Sequence, residues 1–557
     1  MYSAGDQPRS PTRCCQVETW HRAQVQSAAA RTVQPSASRH EPVQVGGTTV
    51  HQMVTGAARR FGERPALVDG PTGLAVSYRE LAARVAGVAA GLAARGFGPG
   101  DVLALWAPNQ PQWAGVALGA MAAGGTVTGA NPACTERELV GQLADSRASV
   151  LVMIPPLAPA ARAAAAATGV RELIVLGEAD GATPVAALLD HGAPAPGAAD
   201  PAAVALLPYS SGTTGLPKGV MLTHANLVTS VRQLGTGVRL TPDDTTVALA
   251  PFYHVMGFVV SLAVPLAAGA TVVTMPRFDL ARFLALVQRH RVTFLAVVPP
   301  VMAALAHHPM VDDHDLSSVE LIVSGGAPLG ADLQRAVAAR LPQAAVGQGW
   351  GMTETAVGAT MPDRDAGTVP GSVGRVMPST ELRVVDPDTR ADLGAGEPGE
   401  LWVRGPQVMA GYLGRPEASA ETVDAGGWLH TGDLGLVDHD GNVFVVDRLK
   451  ELIKVDAYQV APAELEALLL THPAVADAAV IPRPDPVRGE VPVAVVVARG
   501  EVAGEDLLAW VAAQVSPYKR LLAVRFADAL ARTPSGKLLR RALVEQDRQT
   551  LRAGVRR

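Results

Sequence analysis

Residues 209–219 read YSSGTTGLPKG, and this loop decides the interpretation of the whole chain. It follows the apolar run AVALLPY and is too rich in glycine and hydroxyl side chains for the interior of a helix or strand. In such a loop, backbone N–H groups and hydroxyls can turn towards an anion, and Lys218 adds a point charge. The spacing fits neither the Walker A pattern nor G-x-G-x-x-G. The loop predicts a phosphate site of another kind, although a lone glycine-rich loop is more often plain surface.

The pattern of apolar segments on both sides of the loop predicts the fold class. Short runs such as DVLALWAP, TVALAP, TVVTMP and TFLAVVPP alternate with helix-like segments, which is typical of parallel sheets covered by helices. After about residue 374 the strands TELRVVD, GELWVRG and GNVFVVD are separated by turns and indicate a small antiparallel unit. We therefore predict an α/β protein with a large N-terminal domain of parallel sheets with helices plus a small β unit, followed by a mobile, smaller α+β C-terminal domain.

Three segments are expected along the 557 residues. Residues 1–47 form a disordered extension, residues 48–449 the N-terminal domain, and residues 450–557 the C-terminal domain. The first 45 residues lack the apolar core of a secretion signal, although their Ser- and Arg-rich composition also fits a transit peptide. The longest apolar stretch, 258–275, contains Pro265 and Gly269 and predicts a buried helix followed by a strand instead of a membrane span.

Charge and cysteine content exclude several functions. The formal net charge is -5, from 47 basic and 52 acidic residues, which predicts no attraction to nucleic acid or to an anionic membrane. The three cysteines, Cys14, Cys15 and Cys134, have no spacing for zinc and cannot form a disulfide framework in a chain of this length. A reducing, cytoplasmic location is expected. The oligomeric state stays open.

Six further motifs accompany the loop in a fixed order. They are PFYHVMG (251–257), SGGAPLG (324–330), GQGWGMTE (347–354), HTGDLG (430–435), DRLKELIKV (447–455) and PSGKLLRR (534–541). Together with YSSGTTGLPKGVMLTH they resemble the signatures of the adenylate-forming superfamily, which includes acyl-CoA synthetases, firefly luciferases and peptide-synthetase adenylation domains. The resemblance extends over about residues 48–545. It is strongest to the branch of 4-coumarate–CoA ligases and aryl and fatty acyl-CoA synthetases.

The resemblance implies a two-step reaction. A carboxylate attacks the α-phosphate of ATP to give acyl-AMP and pyrophosphate, and the thiol of CoA then takes the acyl group. ATP, Mg²⁺ and CoA are therefore expected, with a small-molecule carboxylate as the substrate. Amino-acid-activating relatives place an aspartate near Phe252-Tyr253-His254 for the α-ammonium. Its absence here predicts an apolar or aromatic acid instead of a free amino acid.

Roles for single residues follow from the same resemblance. Lys537 is expected to bridge the carboxylate and the α-phosphate, His254 to lie beside the acyl group, and Lys454 to contact the acyl-adenylate. Glu354 and Thr213 are expected at Mg²⁺. The remaining nucleotide and adenylate contacts are expected at Ser210, Ser211, Gly212, Thr213, Thr214, Gly215, Lys218, Gly326, Ala327, Pro328, Gln348, Gly349, Trp350, Gly351, Met352, Thr353, Asp433, Arg448, Lys450 and Gln459. Within this set Trp350 flanks adenine opposite the wall of residues 325–328, Asp433 accepts from the ribose, and Lys450 marks the hinge.

One departure from the branch separates two interpretations. The stretch KVDAYQV has Asp456 in place of a basic residue and Ala457 in place of a glycine that lines the path of the thiol. An added methyl group narrows that path, and an added carboxylate repels an anionic coenzyme. The first interpretation is a carboxylate–CoA ligase. The second is an adenylating enzyme with another acceptor, such as an amine, a carrier protein, or the nitrite and arylamine of diazotase-like enzymes. A non-catalytic nucleotide-binding module is a third, disfavoured because a pure binder needs no bridging lysine.

Overall fold

The structure is a computed structural model. It describes residues 36–190, 200–210, 217–364, 367–455, 458–485, 488–515, 517–533 and 536–554.

A mostly parallel sheet carries the first half of the chain. Its strands run in the order β10-β11-β9-β5-β4-β6-β7-β8, with β21 paired to β11. Strands β4 to β9 pair in parallel, whereas β10, β11 and β21 join in antiparallel register. The bounds are β4 Val102–Trp106, β5 Thr126–Gly129, β6 Val150–Met153, β7 Glu172–Val175, β8 Thr183–Pro184, β9 Val204–Leu206, β10 Tyr209–Ser210, β11 Lys218–Thr223 and β21 Gly411–Tyr412.

A second parallel sheet forms the other half of the large domain. Its order is β16-β15-β14-β12-β13-β2-β3, and only the β2–β3 pair is antiparallel among its described pairings. The strands are β2 Pro65–Asp69, β3 Ala75–Ser77, β12 Thr245–Ala248, β13 Thr271–Thr274, β14 Phe294–Val297, β15 Leu321–Ser324 and β16 Ala345–Gln348. Because the strands are parallel, their carboxyl ends meet at one edge, where ligands bind in open α/β sheets.

Helices cover both sheets, as their apolar faces require. They are α1 Val50–Phe61, α2 Tyr78–Ala94, α3 Pro111–Ala122, α4 Glu136–Ser146, α5 Ala158–Ala166, α6 His224–Val238, α7 Val255–Phe258, α8 Val264–Ala268, α9 Leu280–His290, α10 Pro299–His307 and α11 Ala331–Arg340. Helix α6 begins directly after β11 with a capping box, in which Thr223 and Asn226 each accept the other's backbone N–H at 3.1 and 2.9 Å. A π-helical turn, Val259–Ala263, joins α7 to α8.

The antiparallel unit after residue 374 is present as predicted. Its order is β1-β19-β20-β22-β23, with β1 Ser36–Ala37, β19 Glu381–Val385, β20 Gly399–Arg404, β22 Leu429–Val437 and β23 Val443–Arg448. A small ladder of β17 Thr360–Met361 with β18 Arg375–Val376, and helix α12 Pro416–Thr422, adjoin it.

The C-terminal part of the chain has its own sheet and its own apolar clusters. The order is β25-β24-β27-β26, with β28 parallel to β27. The strands are β24 Ile453–Val455, β25 Tyr458–Val460, β26 Val475–Asp485, β27 Gly489–Ala498 and β28 Ala523–Phe526, and the helices are α13 Pro462–Leu470, α14 Gly504–Ala512 and α15 Arg540–Gly554. Its core clusters contain no residue from before Ile453 among the described residues. The predicted α/β class is confirmed, while the predicted boundary at residue 450 stays a prediction.

Two predictions about single segments of the chain can be compared with the structure. The apolar stretch 258–275 lies in the end of α7, the π turn, α8 and β13, as the predicted buried helix followed by a strand requires. In the described part of the chain, no helix combines the length and the apolarity needed to cross a bilayer. Part of the segment 36–47, placed in a disordered extension by the sequence, instead lies on the β unit. Ser36 pairs with Leu382 and the N–H of Val43 donates to Ser379 Oγ at 3.0 Å. The unpaired edge of β19 supplies the partner that sequence composition does not reveal.

Candidate active site

A cavity of about 620 Å³ opens at the carboxyl ends of the second parallel sheet. The segments that follow β12, β15 and β16 form its floor, and residues of the β unit and of the C-terminal part close it. The predicted residues on its surface are Ser210, Lys218, His254, Gly326, Gly349, Trp350, Gly351, Met352, Thr353, Glu354, Arg448, Lys450 and Lys537. Motifs more than 300 residues apart in the sequence therefore share one cavity.

His254 stands on a tight turn that precedes α7. The N–H of His254 donates to Pro251 O at 2.9 Å, and the turn folds so closely on Gly257 that an added Cβ would lie 1.9 Å from Pro251 O. The buried amide of Asn109 holds the approach to this turn, because it accepts from the N–H of Phe252 at 2.7 Å. His254 Nδ1 accepts from the N–H of Met256 at 3.3 Å, so a neutral ring carries its proton on Nε2. That N–H is available to a ligand.

Burial shifts the pKa of both Lys537 and His254. The pKa of His254 is lowered from 6.5 to about 4, chiefly by burial and to a smaller extent by the charge of Lys537. Burial also lowers the pKa of Lys537, helped by Arg448 and opposed by the nearby carboxylates. The site therefore holds a neutral imidazole beside a lysine with a reduced proton affinity, and both are groups whose state responds to an incoming anion.

Asp433 lies directly behind the cavity wall, between two residues that line it. Trp350 Nε1 donates to Asp433 Oδ2 at 2.8 Å, and Arg448 Nε is 3.0 Å from Oδ1. The Arg448 contact is an ion pair without hydrogen-bond alignment, and Oδ1 is buried with no hydrogen-bond donor among the described residues. Burial raises the pKa of Asp433, the Arg448 charge opposing it. An unused carboxylate oxygen at this point can accept from a hydroxyl of a bound ligand.

Glu354, Tyr412 and Lys218 form a connected group on the cavity surface. The Tyr412 hydroxyl donates to Glu354 Oε1 at 2.8 Å, and the Lys218 ammonium lies 4.8 Å from the centre of the Tyr412 ring. Glu354 is only 5 % exposed, so its carboxylate is oriented and largely shielded from bulk water. Carboxylate oxygens of this kind are the ligands that Mg²⁺ prefers beside phosphates.

Several predicted residues do not reach the cavity surface. Gln348 is buried and exchanges two hydrogen bonds with the backbone of Leu329, at 3.2 and 3.1 Å, so it braces the SGGAPLG segment instead of facing a ligand. Ala327 and Pro328 do not line the cavity, and Lys454 has an exposed side chain outside it. The predictions for residues 211–215, for Asp456 and Ala457, and for the side chain of Gln459 lie outside the described residues.

Sequence reasoning missed Tyr412. The short stretch GYLG around Tyr412 has no spacing that indicates a site. Only the pairing of β21 with β11, which sets Tyr412 opposite Val220, brings the ring to Lys218 and the hydroxyl to Glu354. Asn109 was missed for the same reason, because its partners lie about 140 residues away in the sequence.

Part of the cavity has apolar walls. Side chains of α6, of the π turn and α8, and of β14 and its neighbours contribute to it: Leu234, Val238, Val260, Val264, Phe294, Ala296 and Met361. Helix α6 packs so tightly here that a Cβ at Gly237 would lie 2.5 Å from Met361 Sδ. This region favours a hydrocarbon group over a charged one.

These features fit a class of protein, the adenylate-forming enzymes: a buried lysine and a glutamate line one cavity, and directly behind its wall lies an aspartate oxygen with no hydrogen-bond donor among the described residues. The chain belongs to the family of AMP-binding enzymes. The model of that family matches residues 54–413, and the model of the AMP-binding enzyme C-terminal domain matches residues 464–537. The predicted superfamily is thereby confirmed.

Named relatives refine the position of the chain within the family. It is 44% identical to 4-coumarate–CoA ligase 5 of Oryza sativa subsp. japonica over 88% of this chain and 93% of the relative. The anthranilate CoA ligase AuaEII, solved in complex with anthranoyl-AMP, is 25% identical with a TM-score of 0.84, covering 90% of this chain and 98% of that one. The amide bond synthetase McbA from Marinactinospora thermotolerans is 28% identical with a TM-score of 0.78, covering 88% and 99%.

Proposed function

We propose that the protein activates an apolar or aromatic carboxylate with ATP as an acyl-AMP and transfers the acyl group to CoA. The observation that carries this proposal is the position of Lys537. This residue lies shortly before α15 and lines the same cavity as residues of the other family motifs. The predicted reaction class, AMP-forming acid–thiol ligation, is also that of the relatives at 40–44% identity.

In the first step a carboxylate oxygen attacks the α-phosphorus and the bond to pyrophosphate breaks. Two anions approach each other, so the barrier falls with each fixed positive charge at the point of contact. Lys537 supplies that charge. His254, neutral through its lowered pKa of about 4, offers the Nε2 proton as a hydrogen-bond donor to the carboxylate without carrying a charge of its own. The apolar walls of the cavity hold the acyl chain.

The nucleotide is held by groups on both sides of the cavity. Asp433 Oδ1 accepts from a ribose hydroxyl, which satisfies an oxygen that is ion-paired with Arg448 but has no hydrogen-bond donor among the described residues. Arg448 and Lys218 contact phosphate oxygens, and Trp350, fixed by its hydrogen bond to Asp433, flanks the base. Glu354, and Thr213 of the loop, would hold Mg²⁺, which neutralises phosphate charge when bound.

The acid specificity is set by the size of the apolar part of the cavity. We expect Val260→Phe, on the π turn, to lower kcat/KM for cinnamate or octanoate by about 10- to 100-fold, since one misplaced group in a hydrophobic pocket has an effect of this order. Kinetics with ATP and a series of acids on the same variant test this. Acetate is the internal control, because it does not reach the filled region. Equal losses for acetate and for the long acids would contradict the placement of the acyl group.

A second candidate function differs from the first in the acceptor of the second step. Asp456 and Ala457 depart from the branch pattern on the loop expected to line the thiol path. An amide bond synthetase lies among the similar structures at a TM-score of 0.78. An adenylating enzyme with an amine or another non-CoA acceptor is therefore the second candidate. The cytoplasm is the proposed location, based on cysteines without paired spacing.

A panel of acids, with and without CoA, tests the proposal. We expect pyrophosphate and AMP to form with cinnamate-like or medium-chain acids and an acyl-CoA thioester to appear when CoA is added. The matched arm replaces CoA with an amine, or with nitrite and an arylamine. ATP cleavage that depends on the amine and ignores CoA would select the second candidate. Formation of ADP instead of AMP would contradict both.

A further inference from the structure

Arg532 lies at the base of the turn that carries Lys537, and no motif considered above includes it. Its Nη1 donates to Gly536 O at 2.9 Å. Its Nη2 donates to both carboxylate oxygens of Asp477, at 2.7 and 2.9 Å, and its Nε donates to Oδ2 at 3.2 Å. We propose that Arg532 and Asp477 are positioning residues for adenylation, which hold the backbone of the turn so that the Lys537 ammonium stays in the cavity.

Three hydrogen bonds between described residues close the turn between Arg532 and Lys537. The N–H of Thr533 donates to Lys537 O at 2.7 Å, the N–H of Gly536 donates to Thr533 O at 2.8 Å, and the N–H of Lys537 donates to Thr533 Oγ1 at 3.0 Å. Gly536 has φ +83°, a left-handed conformation that glycine adopts without strain. The described ends of the turn are thus tied to each other, and a bond from outside to the Gly536 carbonyl further restricts the direction of Lys537.

Asp477 reaches Arg532 because its own strand is irregular. In β26 the register shifts between Val475 and Asp477, which pair with Ala498 and Val497 in β27. A bulge of this type redirects the side chains that follow it. Asp477 Oδ1 is also fixed by the N–H of Ala478 at 3.0 Å. The carboxylate is therefore fixed to the sheet. The Arg532 guanidinium links it to the carbonyl of Gly536, the residue before Lys537.

The position of the turn matters because it packs on the large domain. A Cβ at Gly536 would lie 3.3 Å from Cβ of Val298, so the turn has little room to shift towards the large domain. Shifts in the opposite direction are resisted by the bond from Arg532 to Gly536 O. A displacement of about 1 Å at a catalytic group is enough to lower a rate by about 100-fold. Loss of Arg532 should thus act on Lys537 more than on the stability of the domain.

A double-mutant cycle with Lys537 tests this inference, which rests on the proposed function for its activity arm. We expect Arg532→Met and Asp477→Asn each to lower pyrophosphate release by about 10- to 100-fold in the full chain. In the Lys537→Ala background, Arg532→Met should change the residual rate by less than about twofold, because its effect passes through Lys537. Arg532→Lys, which keeps one donor, should recover part of the rate. Equal losses in both backgrounds would overturn the inference.

A second readout does not depend on activity. Labelling with an amine-selective reagent and mass spectrometry should find Lys537 protected in the parent chain and modified several-fold faster in Arg532→Met, with the exposed Lys454 as the internal standard. The control is Arg483→Met, which breaks a comparable two-point pair with Asp547 in the same part of the chain, at 2.9 and 2.8 Å. Unchanged labelling of Lys537, or the same increase in Arg483→Met, would overturn the inference. If the parent made no acyl-AMP, the proposed function would fail while this readout still decided the role of Arg532.

Discussion

Lys537→Ala is expected to lower pyrophosphate release by about 10² to 10³-fold, the scale measured for loss of one preorganised electrostatic group. The folded state should lose little stability, because burial of the charged lysine is itself unfavourable and lowers its pKa. Arg541→Ala is the matched control, because it removes an exposed cation four residues further along. A parent-like rate for Lys537→Ala would contradict the proposed role.

The pH dependence of the same reaction tests which protonation state of Lys537 is active. Adenylation requires the charged lysine, and burial lowers the pKa of Lys537 from the ordinary lysine value. As the pH rises the rate should therefore fall at a lower pH than an ordinary lysine would give. Lys537→Arg should move this alkaline limb upward, because a guanidinium keeps its proton. Lys537→Ala should lack the limb. Profiles of kcat/KM for the three proteins between pH 7 and 10, which report the groups of the free enzyme, provide the measurement.

Local sequence patterns sufficed for most elements of the fold. Helix α1 was predictable because Thr49 and Gln52 form a capping box and Pro65 opens the next strand. The antiparallel unit was predictable from alternation and turn residues. The strand β1 was not, since two residues with no apolar pattern pair only because the edge of β19 is free to receive them. Such pairing is a tertiary effect that a local pattern does not contain.

The candidate site divides in the same way. His254, Glu354, Asp433 and Lys537 belong to motifs, and the structure brings them to one cavity or directly behind its wall. Gln348 belongs to a motif as well, but its amide bonds to the backbone of Leu329, so motif membership alone does not separate ligand contacts from braces. Tyr412 and Asn109 have no local signal, because their roles arise from strand pairing and from contacts across more than 100 residues.

Removal of divalent metal is expected to have the largest effect, a loss of pyrophosphate release of about 10³-fold or more, corresponding to several kcal/mol of charge stabilisation. The reason is the charge of the cavity itself. Among its described lining residues, four cations, Lys218, Arg448, Lys450 and Lys537, face three carboxylates, Glu354, Glu400 and Glu421, which leaves one net positive charge. A triphosphate and a carboxylate bring several negative charges, so the protein alone cannot neutralise them.

Treatment with EDTA should stop the reaction and added Mg²⁺ should restore it, with AMP and pyrophosphate as the products. Glu354→Gln should raise the Mg²⁺ concentration needed for half-maximal rate by about 10-fold, because an amide keeps the acceptor for Tyr412 but loses the charge that attracts the ion. Glu421→Gln, at the exposed rim of the same cavity, is the matched control and should leave that concentration nearly unchanged. If turnover persists in EDTA, the charge must be balanced by protein groups. That result would contradict the argument that one net positive charge on the cavity surface is too little to let two anions meet there without a metal ion.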